Sequence, residues 1–226
     1  KLMTAAAVFD TVAGAFDTVK QQEVEIYQIK DALDDFHFAQ KFFGRLQLLV
    51  QLGKHPCIPQ LVDVMLTENP RRPSKSVYLV FIPRFEATLN YVVTSTQVTQ
   101  RHTVYFVYQI LTALKYVHSA GIFHGNLRPS CCHINSDSSL AINFFDGKAI
   151  PFSERIDWET RAHPIWRWYK SPEVLVECEF LDGKTDMWNV GLILSELLCQ
   201  KRVIAGPTDL DQLKEIVLLC GVPDDS

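Results

Sequence analysis

Long apolar runs are missing from this sequence. Every apolar stretch is far shorter than the ~18 residues that a membrane-spanning helix needs, and no secretory signal is visible. The sequence also lacks a large excess of charge of either sign, since its net charge is −4 at pH 7 and its pI is about 6.0. This balance gives no sign of a nucleic-acid or membrane partner, so we expect neither.

The six cysteines lack the close spacing of a disulfide framework, and no C-x-x-C pair is present. Cys131, Cys132 and His133, together with His124, could suggest a zinc site or a cysteine nucleophile. Adjacent residues project in different directions, so packed cysteines after a turn are the better interpretation. We expect no metal, and a reducing, cytoplasmic location, with the cytoskeleton or a larger complex as more specific alternatives.

The composition that remains is that of an ordinary globular protein. The chain has 226 residues, of which 47% are hydrophobic and 21% charged. It can therefore bury a sizeable core in one or two domains.

Residues 105–146 carry the most informative pattern. Their first part predicts an amphipathic helix. Its apolar residues are Phe106, Val107, Ile110, Leu111, Leu114 and Val117. Gly121 is expected to end the helix, and a short apolar segment, a polar turn and a strand over 140–142 follow.

This order of helix, turn and strand resembles the catalytic segment of protein kinases of the mitogen-activated or cyclin-dependent type. In that family the segment reads H-R-D-L-K-P-x-N, then a strand, then D-F-G. His124, Leu127 and Pro129 match the pattern. Residues 166–173, WRWYKSPE, are similar to the family's T-R-W-Y-R-A-P-E.

The resemblance spans most of the chain. Asp186 opens a run similar to D-x-W-S-x-G, and residues 211–223 are similar to a later D-Q-L segment of the same branch. The family implies an α+β, bilobal fold. We expect a small β-rich N-lobe with helix C over residues 1–82, and a mainly helical C-lobe over 83–226 that is incomplete after helix F and the segment that follows it.

In the N-lobe, the resemblance places unlike residues at the family's chemical positions. The strand lysine corresponds to Tyr27, and Lys30, the nearest alternative, lies on the opposite face of the strand. The helix C glutamate corresponds to Arg45, or to Leu46 with a gap of one residue.

The phosphate-binding loop is expected to lack its glycines. The three glycine positions fall on Ala5, Ala7 and Asp10. Glycines let backbone N–H groups approach an anion, so two methyl groups and a carboxylate argue against a phosphate cradle.

The catalytic positions of the C-lobe differ in the same way. Asn126 replaces the catalytic base, and an amide is not basic. Arg128 replaces the loop lysine, and Cys131 and Phe144 replace the two metal ligands, although Mg²⁺ prefers oxygen. Asp146, two residues later, could supply an oxygen only through a local slip that displaces its neighbour.

The nucleotide cleft is expected to be blocked. The two residues that enclose adenine in the family correspond to Glu25 and His133, and Phe81 takes the gatekeeper position. We expect the two polar side chains to approach each other across the cleft, or neighbouring side chains to fill it. A carboxylate there would also repel nucleotide phosphates, so no cofactor is expected.

The positions that maintain packing are kept. His124 and Phe145 match two members of the family's regulatory column of side chains, and Leu49 suits a third. Asp186 matches the residue that accepts N–H bonds from the catalytic loop, and Glu173 matches the glutamate of A-P-E.

These residues predict a pseudokinase that is not an enzyme and that acts as an interaction, scaffolding or structural module. Its partners would be other proteins, within a large assembly. One alternative is an ATP-binding kinase with residual or atypical phosphotransferase activity, carried by Asp146 and Arg128. Another is a nucleotide-free allosteric partner of an active kinase.

Helix C offers one surface for such contacts. Its four phenylalanines spread over about 160° of a helical wheel, which is wider than the usual ~100° core stripe. They are Phe36, Phe38, Phe42 and Phe43. The excess width indicates a contact outside the domain.

Overall fold

A four-stranded antiparallel sheet forms the first part of the fold. This computed structural model describes residues 11–31, 33–34, 36–68, 75–95, 98–144, 150–151 and 164–222. The strands are β1 (Thr11–Asp17), β2 (Gln22–Ile29), β3 (Gln60–Glu68) and β4 (Lys75–Ile82). They lie in the order β1-β2-β4-β3, and each neighbouring pair is antiparallel.

Helix α1 (Phe36–Leu52) packs on this sheet. It buries Phe42 and Leu46 in one cluster with sheet residues, because the two side chains are four residues apart and share a face of the helix. The sheet side of the cluster comprises Tyr27, Ile29, Val77, Leu79 and Phe81.

The second part of the fold is mainly helical. Its helices are α2 (Leu89–Ser95), α3 (Gln100–Ser119), α4 (Pro172–Leu175), α5 (Gly183–Cys199) and α6 (Asp209–Cys220). Its short strands are β5 (Ala87–Thr88), β6 (Ile122–Phe123), β7 (Cys132–Ile134), β8 (Leu140–Ile142) and β9 (Ile150–Pro151). The antiparallel sheet, the helical lobe and the α+β class confirm the predicted fold.

Local sequence explains where α3 begins and ends. Thr99 and His102 form a capping box at its N-terminus, which satisfies two backbone N–H groups that have no partner in the helix. Gly121 adopts φ +72 just after the helix, as predicted, and its N–H bonds to the His118 carbonyl. The apolar face between these ends is buried, with Ile110 and Val117 fully enclosed.

The two parts are joined through α1 and the segment after it. Leu49 packs against the cores of both parts. The N–H of Ile142 donates to the Cys57 carbonyl at 2.9 Å, and the Tyr116 hydroxyl donates to the Leu52 carbonyl. The predicted boundary near residues 82 and 83 stays a prediction.

Among the described residues, every helix is too short or too polar to cross a membrane.

Replacing Ile110 by alanine tests the importance of the α3 core face. Ile110 is fully buried, so Ile110→Ala should lower the free energy of unfolding by about 2–5 kcal/mol in urea denaturation. Val104→Ala is the matched control on the same helix, since Val104 is 65% exposed. The control should change stability by less than about 0.5 kcal/mol. Equal losses for the two variants would contradict the assigned burial.

Candidate functional site

The carboxylate of Asp186 holds the His124–Asn126 loop against α5. Asp186 is completely buried, and its two oxygens accept the backbone N–H groups of His124 at 2.8 Å and Gly125 at 2.9 Å. His118 Nε2 lies 2.8 Å from the same carboxylate. Asp186 stands in the first turn of α5, where the helix dipole favours negative charge. The structure thus shows the two N–H bonds that the resemblance implied for Asp186, and its structural role stays a prediction.

His124 is a fully buried, neutral imidazole. Its Nδ1 accepts the N–H of Asn126 at 3.2 Å, so the proton is on Nε2, which donates to the Asn143 carbonyl at 3.2 Å. Burial lowers the pKa of His124 to about 4, although the Asp186 carboxylate partly opposes this change. The ring packs 5.0 Å from that of Phe144. His124 is therefore a packing and hydrogen-bonding residue, as the sequence indicated.

At the base position, Asn126 contributes its carbonyl to the loop itself. That carbonyl accepts hydrogen bonds from Arg128 Nη1 at 3.1 Å and from Cys131 Sγ at 3.6 Å. The Arg128 side chain is buried and turned back onto its own loop. The arginine thus has a structural contact inside the protein.

Both residues at the metal-ligand positions are buried in the core. Cys131 is fully enclosed, and Phe144 is 1% exposed in the same apolar cluster. Neither presents an oxygen, the ligand atom that Mg²⁺ requires. Within the described ranges, no group of three or more His, Cys, Asp or Glu residues is arranged to hold a metal. The alternative ligand Asp146, its neighbour Phe145 and the glycine-loop positions Ala5, Ala7 and Asp10 lie outside the described residues.

Tyr27, at the strand-lysine position, is the centre of a buried polar network. Its hydroxyl donates to Glu25 Oε2 at 2.9 Å and accepts from Asn143 Nδ2 at 3.3 Å. Its ring also meets the Phe81 ring edge-on at 5.2 Å. Arg45, at the glutamate position, is partly buried on α1. Tyrosine and arginine thus stand where the family resemblance places an ion pair.

Glu25 and His133 meet across the cleft. Glu25 Oε2 lies 3.7 Å from His133 Nδ1, and the two side chains are 12% and 10% exposed. Glu25 belongs to β2 and His133 to β7, so the contact connects the two parts of the fold. Phe85 packs edge-on against the His133 ring at 5.6 Å. The predicted approach of these two side chains is confirmed.

Sequence reasoning missed two residues of this site. Asn143 is a buried amide directly before Phe144 that connects His124 to Tyr27, and a polar residue between apolar neighbours was the available signal. Arg84, just after β4, lies against the face of β1 at Gly14, where a Cβ would overlap its Nε. A glycine inside a strand often marks such a close approach.

Arg84 also pairs with Glu23 at 3.4 Å. Both side chains are about half exposed, so the ion pair itself adds little stability. A neighbouring cavity of about 570 Å³ is lined by Glu23, Arg84, the chain around His55, and other residues near the end of β4. Glu25, Phe81 and His133 are not among its lining residues.

Glu173, in the first turn of α4, connects α4 to α5. Its Oε1 accepts the hydroxyl of Thr185 at 2.9 Å, and Thr185 is the immediate neighbour of Asp186. The A-P-E glutamate position therefore supports the helix that holds the catalytic loop.

The fold and this arrangement of residues define a protein kinase domain. The family model described as "Protein kinase domain" matches residues 8–222, and the chain belongs to this family.

Three relatives agree with the mitogen-activated branch of the family. "Mitogen-activated protein kinase 14" of Xenopus laevis is 31% identical over 219 residues, which cover 97% of this chain and 59% of the relative. "Mitogen-activated protein kinase 4a" of Physcomitrium patens is 33% identical over 218 residues, covering 96% and 56%. "Extracellular signal-regulated kinase 2" of Dictyostelium discoideum is 32% identical over 216 residues, covering 92% and 56%. The chain spans somewhat more than half the length of these curated relatives.

These comparisons correct one expectation from the sequence. The lost chemical positions predicted that the chain is not an enzyme. Instead, the chain belongs to a family of enzymes, and the three relatives are named as kinases. The similarity over residues 8–222 therefore points to an enzyme.

The buried imidazole of His124 predicts a pH dependence of stability. In the unfolded chain His124 titrates near pKa 6.5, whereas in the folded protein its pKa is about 4. The unfolded state therefore binds more protons between these values, so stability is full above pH 6.5 and falls as the pH drops toward 4. At about 1.4 kcal/mol per pKa unit, the loss is roughly 3 kcal/mol.

Urea denaturation of the wild type and of His124→Gln across this pH window provides the measurement. The other titrating groups are common to both proteins, so the difference between the two slopes isolates His124. Identical slopes would show that the imidazole does not titrate in this way.

The Tyr27 hydroxyl is expected to stabilise the network that it joins. Tyr27→Phe leaves the buried Glu25 carboxylate and the Asn143 amide each without one partner, which should cost about 1–3 kcal/mol of unfolding free energy. Tyr78→Phe is the control, because the Tyr78 hydroxyl bonds to Gln28 at a more exposed place on the same sheet. A smaller loss for Tyr27→Phe than for the control would contradict the central role of Tyr27.

Proposed function

We propose that this kinase domain acts chiefly through protein contacts, as an interaction or scaffolding module or as a structural subunit of a larger assembly. We further propose that its cleft does not hold ATP and Mg²⁺ in the family's usual mode. The observation that carries the proposal is the contact between Glu25 and His133, which are both about nine-tenths buried and lie 3.7 Å apart. Two side chains that meet across a cleft leave no room for a flat base between them.

The chemistry of the neighbouring positions supports the same proposal. A nucleotide brings several negative charges, and the Glu25 carboxylate would repel them where water is largely excluded. Tyr27 provides a hydroxyl instead of a positive charge, and that hydroxyl is already bonded to Glu25 and Asn143. Phe144 occupies its position as a core side chain packed on His124.

The packing that remains supports a role based on shape. Asp186, His124 and Glu173 hold the loop, α5 and α4 together through hydrogen bonds within the protein. The proposal includes other proteins as partners and a cytoplasmic location, with a complex or the cytoskeleton as its more specific forms.

Residual or atypical phosphotransferase activity is the second candidate. Membership of the kinase family and the names of the three relatives favour it. Transfer would then proceed without an oxygen ligand from residues 131 and 144 and without a carboxylate at residue 126. Nucleotide binding separates the two candidates.

Thermal melting with ATP and Mg²⁺ tests the proposal. A ligand that binds only the folded state raises the melting temperature, so the wild type should show no clear increase. The triple variant Glu25→Ala, Arg84→Ala, His133→Leu removes the two side chains that meet across the cleft and also Arg84, which lies against β1 at Gly14. ATP should raise the melting temperature of this variant. The rise should be the same with and without Mg²⁺, because Cys131 and Phe144 remain and neither side chain offers Mg²⁺ an oxygen ligand.

A control triple variant, Glu68→Ala, Lys75→Ala, Lys184→Ala, changes exposed side chains in place of the cleft residues. It should behave as the wild type does. A clear, Mg²⁺-dependent increase for the wild type would contradict the proposal and support the second candidate. Affinity purification from the same sample would then identify the proteins that the domain binds.

A further inference from the structure

We propose that the outward face of α1 is a docking surface for a second copy of this chain. The inference deepens the proposed function by naming a partner, and it rests on that function only in assigning the domain a role in protein contacts. The face consists of Phe36, Gln40, Phe43, Gln47 and Val50, with Gly44 beside Phe43. We call these six residues the α1 face.

The α1 face is exposed and unusually apolar for the solvent side of a helix. Phe36 is 83% exposed, Phe43 50% and Val50 68%. The core side of the same helix is satisfied separately, by Phe42 and Leu46 on the sheet. The three exposed side chains are therefore additional to those that fold the domain, and they share one side of the helix.

Among the α1 residues whose burial the structure describes, the exposed ones also carry no charge. The residues that the structure describes as exposed in this helix are phenylalanine, glutamine, glycine and valine. A solvated helix face normally has charged side chains, which keep it in water. An uncharged surface instead suits contact with another uncharged surface.

The spacing of the α1 face is that of a helix-packing seam. Its residues follow each other at intervals of four, three, four and three, which is the spacing of the a and d positions of a heptad repeat. Phe36, Phe43 and Val50 share one of the two positions, and Gln40 and Gln47 share the other. Such a seam of about two turns on either side of Phe43 matches the length of a second helix of the same kind.

Gly44 provides an independent sign of close contact. Glycine destabilises the middle of a helix relative to alanine, and the exposed Gly44 has no described neighbour beyond its own stretch of helix within 4 Å of where its Cβ would be. Within the described part of the chain, no contact requires a glycine there. A second helix that passes beside Phe43 would use the missing Cβ for a close backbone approach.

The order of residues makes the face complementary to itself. When two α1 helices run antiparallel about Phe43, Phe36 meets the copy's Val50 and Gln40 meets the copy's Gln47. Phe43 then stacks on its counterpart at the axis, and Gly44 flanks it on both chains. Two amide side chains can donate to and accept from each other, and no like charges meet. This twofold match favours a second copy over an unrelated partner.

Sedimentation or light-scattering measurements of mass against protein concentration test the proposal. The wild type should form a dimer, and Phe43→Lys should weaken self-association by at least about tenfold, because it places two ammonium groups at the axis. Tyr108→Lys is the matched control, since Tyr108 is 64% exposed on α3, and it should associate as the wild type does. A wild type that stays monomeric, or a dimer that survives Phe43→Lys, would overturn the proposal.

Gly44→Ala provides a second test that does not depend on a destabilising change. Alanine is the better helix former, so the melting temperature of the monomer should rise, while the added methyl groups should weaken the dimer. A dimer that is unchanged or tighter in Gly44→Ala would overturn the proposal. A finding that the protein is monomeric would not change the result of thermal melting with ATP and Mg²⁺. The dimer proposal and the proposed function can therefore fail independently of each other.

Discussion

The buried carboxylate of Asp186 is the interaction on which the rest of the site depends. It fixes the backbone of His124 and Gly125, and it does so from α5, which Glu173 supports through Thr185. With its backbone fixed, the His124 ring bonds to the Asn143 carbonyl, and the amide of Asn143 reaches Tyr27 in the other part of the fold. A single chain of hydrogen bonds thus passes from the C-lobe core to the N-lobe sheet.

Polar groups within the protein take up the hydrogen-bonding capacity of this cleft. Tyr27, Glu25 and His133 bond to or face one another, whereas a phosphate-binding site would direct such groups toward a ligand. Phe144 and Cys131 extend the apolar core to positions where metal chemistry would need oxygen. The same framework of helices and strands therefore supports a domain whose membership of the kinase family is clear and whose proposed role is protein contact.

The sequence predicted the parts of this structure that follow from periodicity and from motif positions. Alternation placed Glu25 and Tyr27 on one face of a strand, and the resemblance to the family placed His133 on the opposite side of the cleft. The contact between Glu25 and His133 could therefore be predicted. The contacts of Arg84 and Asn143 could not be predicted in this way, because a side chain that reaches across a turn or between lobes leaves no periodic signal in the sequence. The four phenylalanines of α1 indicated an outside contact, but only the structure distinguishes buried Phe42 from exposed Phe43.

We propose that Glu25 and His133 close the cleft against nucleotide. A crystal structure of the protein grown with an excess of ATP and Mg²⁺ tests it most directly. We expect electron density for the two side chains in contact, as close as 3.7 Å, with no nucleotide between β2 and β7. Density for a nucleotide base between Glu25 and His133, with the two side chains moved apart, would contradict it.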